Sequence, residues 1–248
     1  MRESAMLRSS YKICLGLSSM LVFAGSGFAQ DAALPGADGD SGWQWLFDGS
    51  GLHRWREYNK DGPISPAWVV EDSVLAFRPD RKTSPDPVGI ITREQFTDFE
   101  LELQWKISAG GNSGIFFHVT EHEGMVRPSR TGLEMQILDD DRHRDGAEPR
   151  TRAGSAYALY APVRATVRPV GEWNLARIVS VGGRVEFWLN GERIVEFDRD
   201  SEDWRQRYAA SKFSAPPFEH FGVARRGHIS LQDHADPVFF RNIRIRRL

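Results

Sequence analysis

The sequence predicts an all-β fold, a sandwich of antiparallel sheets with one short helix, and two stretches carry most of that prediction. In Phe99–Ile107 every odd position is apolar and every even position is polar. This alternation indicates an antiparallel strand with one buried face and one wet face. In residues 185–197 two such runs are joined by Asn190-Gly191. Because this pair tolerates the positive φ angles of a type I′ turn, we expect a hairpin there.

Further short segments have strand composition and are bounded by turn residues. They are 67–77, 89–92, 114–119, 133–138, 173–181, 227–232 and 238–246. Only 201–210 has a helical pattern, with Ser201 as a candidate N-cap, acidic residues in the first turn, and Trp204 and Tyr208 four positions apart. Many short strands with a single helix are typical of a sandwich or a barrel.

The first 29 residues have the order of a secretory signal peptide. Basic residues precede a short apolar stretch, and small residues follow it up to Ala29. The apolar stretch is shorter than the roughly 20 residues that a membrane-spanning helix needs. We therefore expect cleavage after Ala29, export to the periplasm or the exterior, a disordered linker over 30–41 and one domain over 42–248.

Composition excludes several classes of function. Cys14 is the only cysteine, so the mature chain would have no disulfide and no thiolate nucleophile. The formal net charge of −2 argues against a nucleic-acid partner, which favours a basic face. The sequence contains no Gly-x-Ser-x-Gly, P-loop or His-Glu-x-x-His motif. A small polar ligand fits this composition better, and the sequence does not define an oligomeric state.

Alternation also shows which polar side chains share a face of a strand. In segment 133–138 the apolar residues point to the core, which leaves Glu134 and Gln136 on the other face. In segment 227–232 the same logic selects Gln232, and His234 follows shortly after. These groups would form a cleft with acid-base capacity near neutral pH if the faces meet. They would otherwise be ordinary exposed strand residues.

Segment 114–119 contributes two further candidates by the same alternation. Phe116 and His118 are expected on the non-core side. Just before them, Asn112 stands in a Gly-rich stretch, Gly110-Gly111-Asn112-Ser113-Gly114. That stretch predicts either a close approach of the backbone to a ligand or only a turn that enters a strand.

A loop rich in oxygen and imidazole groups is a candidate metal site. Asp139, Asp140 and His143 lie there within five residues, and such donors bind divalent cations. The loop lacks the glycine and glutamate spacing of an EF-hand. The alternative is a solvated loop, so a divalent metal ion is a candidate cofactor and no other cofactor is indicated.

Several segments together resemble the 3-keto-disaccharide hydrolase family. The resemblance extends from about Gly42 to Leu248. It implies a concanavalin A-like jelly-roll sandwich that acts on glycosides with a ketone at C3 of the sugar ring. The matching segments are Trp-Leu-Phe-Asp-Gly (45–49), Gly-Asn-Ser-Gly-Ile-Phe (111–116), Gly-Leu-Glu-Met-Gln-Ile-Leu-Asp (132–139), Gly-Glu-Trp-Asn (171–174), Trp-Leu-Asn-Gly (188–191), and Leu-Gln-Asp-His (231–234) followed by Phe-Arg-Asn-Ile (240–243).

The resemblance also implies which residues form the site. The family's Gly-x-Glu-x-Gln-x-Leu-Asp segment falls on 132–139, and its Leu-Gln-Asp-His segment falls on 231–234. These matches add Asp139 and Asp233 to the residues that alternation selects. The family has a glycine after the second segment, whereas this chain has Ala235. Because alanine has less conformational freedom than glycine, this difference affects the backbone directly after His234.

The implied chemistry explains these residue types. A ketone at C3 acidifies the C2 proton, so a base can remove it and expel the C1 substituent, after which water adds. The resemblance favours Glu134 or His234 as the base, with Gln136, Gln232 or a metal ion stabilising the enolate oxygen. The other side chains expected to bind substrate are Asn112, Phe116, His118 and Trp188.

Two other functions fit the same sequence. A lectin-like module that only binds carbohydrate would use stacking residues such as Trp55, Trp68 or Trp188. A conventional glucanase-type glycosidase would need two carboxylates that flank the bond. The spacing of Glu134 and Asp139, with Gln136 between them, approximates that pattern.

Overall fold

The predicted strands pair into two antiparallel sheets that pack face to face. The computed structural model describes residues 42–164 and 166–248. The predicted signal peptide, Cys14 and the linker lie outside the described residues. The strands are β1 (Trp43–Phe47), β2 (Trp55–Glu57), β3 (Trp68–Glu71), β4 (Val74–Phe77), β5 (Ile90–Thr92), β6 (Phe99–Ile107), β7 (Asn112–Val119), β8 (Leu133–Leu138), β9 (Asn174–Val181), β10 (Arg184–Leu189), β11 (Glu192–Asp198), β12 (His228–Leu231) and β13 (Val238–Arg247).

Within the described residues, the larger sheet has eight strands in the order β11-β10-β9-β6-β13-β4-β3, and β1 also pairs with β13. The smaller sheet has five, in the order β2-β5-β12-β7-β8. Their inner faces bury a continuous apolar core that includes Phe99, Trp105 and Phe240 from the larger sheet and Ile115 and Phe117 from the smaller one. This arrangement confirms the all-β jelly-roll sandwich.

The one α-helix among the described residues also agrees with the prediction. Helix α1 (Glu202–Ala209) begins after Ser201, whose Oγ accepts a hydrogen bond from the N–H of Trp204 at 3.1 Å. That bond satisfies one of the free donors of the first turn. No helix of the described residues is long and apolar enough to cross a membrane.

The Asn-Gly hairpin is confirmed, and a second hairpin was missed. Strands β10 and β11 are joined by Asn190 and Gly191, with φ values of 52° and 90°. Segment 67–77, predicted as one strand, is instead the β3–β4 hairpin. Asp72 and Ser73 form its turn with φ values of 50° and 60°. Neither residue is a glycine, so the turn had no clear sequence signal. Strands β1 and β2 were also not predicted.

The predicted wet face of β6 is covered by ion pairs. Glu100 is buried and contacts the guanidinium groups of Arg177 and Arg246 on the two neighbouring strands. Glu102 pairs with Arg244 at 2.6 Å. The alternation was correct, but opposite charges across the sheet shield this face from water.

The β3–β4 turn gives a stability prediction. Replacing Asp72-Ser73 by Asn-Gly should raise the free energy of unfolding by about 0.5–1 kcal/mol, because both positions require a positive φ that this pair adopts more readily. Chemical denaturation measures the change. The matched control is Gly191→Ala, which introduces a side chain at φ 90° and should destabilise the other hairpin. Equal stability of wild type and the Asn-Gly variant would contradict the assignment of a strained turn.

Candidate active site

The candidate site lies on the face of the smaller sheet that points away from the core. Strand β7 is central, with β8 on one side and β12 on the other. Gly114 of β7 pairs with Gln136 of β8, and the N–H of Gln232 donates to the carbonyl oxygen of Gly114 at 3.1 Å. The two glutamines therefore flank a position that has no side chain. This gap is the floor of the site.

The carboxyl group of Glu134 lies above that floor. A Cβ atom added to Gly114 would be only 2.1 Å from Glu134 Oε1, so the carboxyl group occupies the space that a larger residue would fill. Glu134 is 9% exposed. Burial raises its pKa to about 8, the charge of Asp145 also raises it, and the charge of Lys212 lowers it. A carboxyl group with a pKa near the working pH is suited to proton transfer.

A cation and a phenol stand beside Glu134. Residues 154–157 run along the edge of β8, with the N–H of Tyr157 donating to the carbonyl oxygen of Glu134 at 3.1 Å. The hydroxyl of Tyr157 donates to Asp145 at 3.3 Å. The Nζ atom of Lys212 lies 4.5 Å from the centre of the Tyr157 ring. Burial lowers the pKa of Lys212, while the charges of Glu134 and Asp145 raise it.

Asn112 connects the floor to two imidazole rings. It shares the face of Gly114, and its Nδ2 lies 3.4 Å from His143 Nε2. His143 Nδ1 accepts the N–H of Asp145 at 3.1 Å, and this bond orients the ring towards Asn112. The ring of His234 lies 6.2 Å from that of His143. Asn112, His143 and His234 thus form one end of the site.

His234 is the most open of the candidates. Its side chain is 44% exposed, and its Nδ1 lies 3.9 Å from Asp236 Oδ2. It borders a cavity of about 220 Å³. Next to it, Ala235 has a φ of 66°, the left-handed conformation that a glycine adopts without strain. The other side chains around the cavity are those of Lys82, Pro85, Pro87, Arg127, Asp233 and Ala235.

Two buried polar atoms on this face have no hydrogen-bond partner among the residues that the structure describes. They are Gln232 Oε1 and Ser230 Oγ. Leaving a buried acceptor unpaired costs about 1–3 kcal/mol. A ligand hydroxyl that donates to Gln232 would remove that cost. Gln136, by contrast, uses its Oε1 to accept the N–H of Ile137 at 3.1 Å.

Phe116 shares the face of Glu134, as alternation predicted, but it is not exposed. It pairs with Glu134 across the strands and is 1% exposed. It belongs to a second apolar cluster with Tyr58, Ile91 and Val119, against which Met125 packs. Part of the non-core face is therefore apolar and excludes water from one side of Glu134.

The expectation that His118 shares this face is wrong. A β-bulge shifts the register between β7 and β12, and His118 has a φ of 53°, so alternation fails there. Its Nε2 contacts the carbonyl oxygen of Thr97 at 2.8 Å and its Nδ1 contacts Arg199 at 3.0 Å. Its ring packs against Phe99 and Phe117. Burial lowers the pKa of His118 to about 4, so this histidine is a neutral structural residue.

The tryptophans expected to stack on sugars are not available for that role. Trp188 is on the outer face of the larger sheet, opposite to Glu134, and the Arg177 guanidinium covers its ring at 4.9 Å. Trp55 and Trp68 are buried. Their indole N–H groups donate to the carbonyl oxygens of Leu46 and Val88. The prediction that Trp188 contacts substrate is therefore wrong, because its ring is on the other sheet. Trp55 and Trp68, named for a lectin-like module, are in the core.

The acidic loop uses its carboxylates to bind its own backbone. Asp139 accepts the N–H groups of Gly110 at 2.6 Å and Asp141 at 3.2 Å. Asp140 accepts the N–H of Ala153 at 2.8 Å, and burial raises its pKa. Within residues 42–164 and 166–248, no group of three or more histidine or acidic side chains is placed to hold a metal ion. The metal candidates Asp139, Asp140 and His143 are thus not assembled as a site.

Asp233 is also a structural residue. Its Oδ2 accepts from Lys82 Nζ at 3.1 Å and from the N–H of Val88 at 3.0 Å. It anchors the loop before β5 to the end of β12. Alternation did not select Asp233, and only the family resemblance added it to the site.

Sequence reasoning missed Lys212 and Tyr157. Both are in loops, where no periodicity relates a residue to a face of the sheet. The one available signal for Lys212 was an aromatic neighbour, Phe213, directly after the predicted helix. For Asp145, the sequence indicated only that the residue belongs to the acidic loop.

Known proteins are similar to this chain over nearly all of its described residues. Residues 42–246 match the model of the 3-keto-alpha-glucoside-1,2-lyase-like domain. A 3-keto-disaccharide hydrolase of Bacteroides thetaiotaomicron is 34% identical over 229 residues, which cover 84% of this chain and 79% of that protein.

Solved structures of candidate glycosyl hydrolases are also similar to this chain. A candidate glycosyl hydrolase from Parabacteroides distasonis superposes with a TM-score of 0.76 at 34% identity, covering 84% of this chain and 94% of that one. A second one from the same organism has a TM-score of 0.62 at 28% identity, covering 83% and 99%.

The buried carboxyl group gives a second stability prediction. Since the pKa of Glu134 is about 8 in the folded protein and 4.5 ordinarily, its contribution to stability is complete below pH 4.5 and is lost as pH rises through 8. Glu134→Gln keeps a neutral group and avoids this loss. The variant should be more stable than wild type by roughly 5 kcal/mol at pH 8.5 and by less than about 1 kcal/mol at pH 5.

Denaturation of both proteins at the two pH values measures this difference. Glu123→Gln, at an exposed position, is the matched control and should show no such pH dependence. If Glu134→Gln were no more stable than wild type at pH 8.5, the carboxyl group would not be desolvated as the structure indicates.

Proposed function

The chain belongs to the 3-keto-alpha-glucoside-1,2-lyase-like domain family, and on that premise we propose that it is a hydrolase that cleaves 3-keto-disaccharides. The observation that supports this most strongly is the position of Glu134 over the bare backbone of Gly114, between Gln136 and Gln232. The relative in Bacteroides thetaiotaomicron bears the name of this activity.

In the proposed mechanism Glu134 is the base. The C3 ketone acidifies the C2 proton, and the ionised carboxylate removes it to give an enolate. Collapse of the enolate expels the C1 oxygen substituent and leaves a double bond between C1 and C2. Water then adds at C1, and Glu134 returns the proton to C2. The net reaction is hydrolysis, although the bond breaks by elimination.

The residues around Glu134 have distinct proposed roles. Gln232, with its unpartnered Oε1, would accept a hydrogen bond from a ring hydroxyl, and Gln136 and Asn112 would orient the ring. His234 is open to solvent beside a cavity, which suits the end that receives the leaving group. There it would protonate the departing oxygen and then recover a proton from the water that adds at C1. Glu134 suits the base because it is the buried group with a raised pKa.

The two alternative functions have less support. A lectin-like module needs exposed stacking rings, and the three candidate tryptophans are buried or covered by arginine. A glucanase-type glycosidase needs a second carboxylate beside Glu134. Asp139, the residue predicted for that role, is occupied by two backbone N–H groups.

The residue order of 1–29 supports a further part of the proposal, namely that the protein is exported before it meets its substrate. The substrate would then be a 3-keto-disaccharide in the periplasm or outside the cell. Detection of a mature protein that begins after Ala29 in the exported fraction tests this point.

Substrate choice tests the proposed function. The protein should release the aglycone from a 3-keto-disaccharide and not from its unoxidised parent, because only the ketone acidifies C2. Glu134→Gln should lower kcat/KM by about 10²–10⁴-fold, the usual contribution of a general base. Glu123→Gln should have wild-type activity. Turnover of the parent sugar, or full activity of Glu134→Gln, would refute the proposal.

The pH dependence follows from the same assignment. Because the ionised form of Glu134 is the base, kcat/KM should rise with pH and level off above the pKa of about 8. Initial rates between pH 5 and 9.5 with the 3-keto-disaccharide measure the profile. A rate that falls across this range would mean that Glu134 acts as an acid instead.

A further inference from the structure

Lys212 is an exposed lysine whose ammonium group contacts Tyr157, the residue beside Glu134. Among the described residues, no hydrogen-bond acceptor and no carboxylate within 4.0 Å is found for its Nζ atom. Its neighbours are aromatic rings: the centres of Tyr157, Phe213 and Phe218 lie 4.5, 5.3 and 6.0 Å away. The ammonium group is thus held by cation–π contacts, and its N–H donors are open to a ligand.

The segment that carries Lys212 is held rigidly. Residues Lys212–Ser214 form a 3₁₀ turn capped by Ser211, whose Oγ accepts the N–H of Phe213 at 3.1 Å. The ring of Phe213 stacks on Phe221 with 3.6 Å between centres. The backbone that carries the ammonium group is therefore held in place before a ligand arrives, which favours electrostatic stabilisation.

The charged groups that act on Lys212 include Glu134, the proposed catalytic base. Glu134 and Asp145 favour its charged form, while burial and Arg130 oppose it. In return, the charge of Lys212 favours the ionised form of Glu134. Tyr157 links the two residues, because its N–H donates to the carbonyl oxygen of Glu134 and its ring contacts the Lys212 ammonium. Lys212 and Glu134 therefore border the same space. A ring in that space would have its reacting carbons between a base and a cation.

From this arrangement we infer that Lys212 is a catalytic residue, the cation that stabilises the enolate oxygen at C3. The inference rests on the proposed function. When Glu134 takes the C2 proton it becomes neutral, and the negative charge moves through C2 and C3 to the ketone oxygen. Lys212 donates a hydrogen bond to that oxygen and stabilises its negative charge. No covalent bond to Lys212 forms.

A cysteine variant tests this role. Because Cys14 is the only natural cysteine, Lys212→Cys in a Cys14→Ser background has one thiol. The unmodified variant should lose about 10²–10³-fold in kcat, the usual effect of removing one donor to a developing oxyanion. Alkylation with 2-bromoethylamine restores an ammonium and should recover most of the activity. Alkylation with iodoacetamide adds a neutral amide and should not.

A second readout separates catalysis from structure. Since the charge of Lys212 lowers the pKa of Glu134, the acid limb of the kcat/KM profile should move to higher pH in the cysteine and amide forms, and return with the aminoethyl form. Lys60→Cys, at an exposed lysine, is the matched control and should show neither effect.

Three results would overturn the role of Lys212: equal activity of the amide and aminoethyl forms, no shift of the acid limb, or a substrate adduct on Lys212 after treatment with cyanoborohydride. The adduct would mean covalent catalysis through an imine. Failure of the proposed function is distinguishable, because in that case the wild-type protein itself would not consume the 3-keto-disaccharide.

Discussion

The burial of one carboxyl group over a glycine is the constraint on which the rest of the site depends. Glu134 occupies the space above Gly114, and the apolar cluster around Phe116 keeps its surroundings dry. Desolvation raises the pKa of Glu134 to about 8, which makes its ionised form a stronger base than an ordinary carboxylate. The protein loses stability to hold this group, a common property of active sites.

The strands that carry the site could be predicted because their signals are local. Alternation gave β6 and β8 with the bounds that the structure shows, and Asn190-Gly191 gave the β10–β11 hairpin because both residues tolerate a positive φ. The turn at Asp72-Ser73 could not be predicted, because tertiary packing holds two ordinary residues in that conformation. Strand β2 has three residues, too few for a period to show.

The same contrast applies to the site. Alternation correctly grouped Glu134 with Gln136, because β8 is a regular strand. It failed for His118, where a bulge and a positive φ turn the ring towards Phe99 and Phe117. Lys212 could not be found from the sequence, because a loop brings it to the sheet and only the fold defines what it faces. Residues on regular strands were thus predictable, whereas those at bulges and in loops were not.

The isotope effect at C2 tests the central claim most directly. A 3-keto-disaccharide with deuterium at C2 and its unlabelled counterpart are offered to the wild-type protein, and kcat/KM is compared. Removal of the C2 proton by Glu134 predicts slower turnover of the deuterated substrate and loss of the label to solvent. Equal rates, with the deuterium still at C2 in the product, would show that the glycosidic bond breaks without proton removal and would contradict the account.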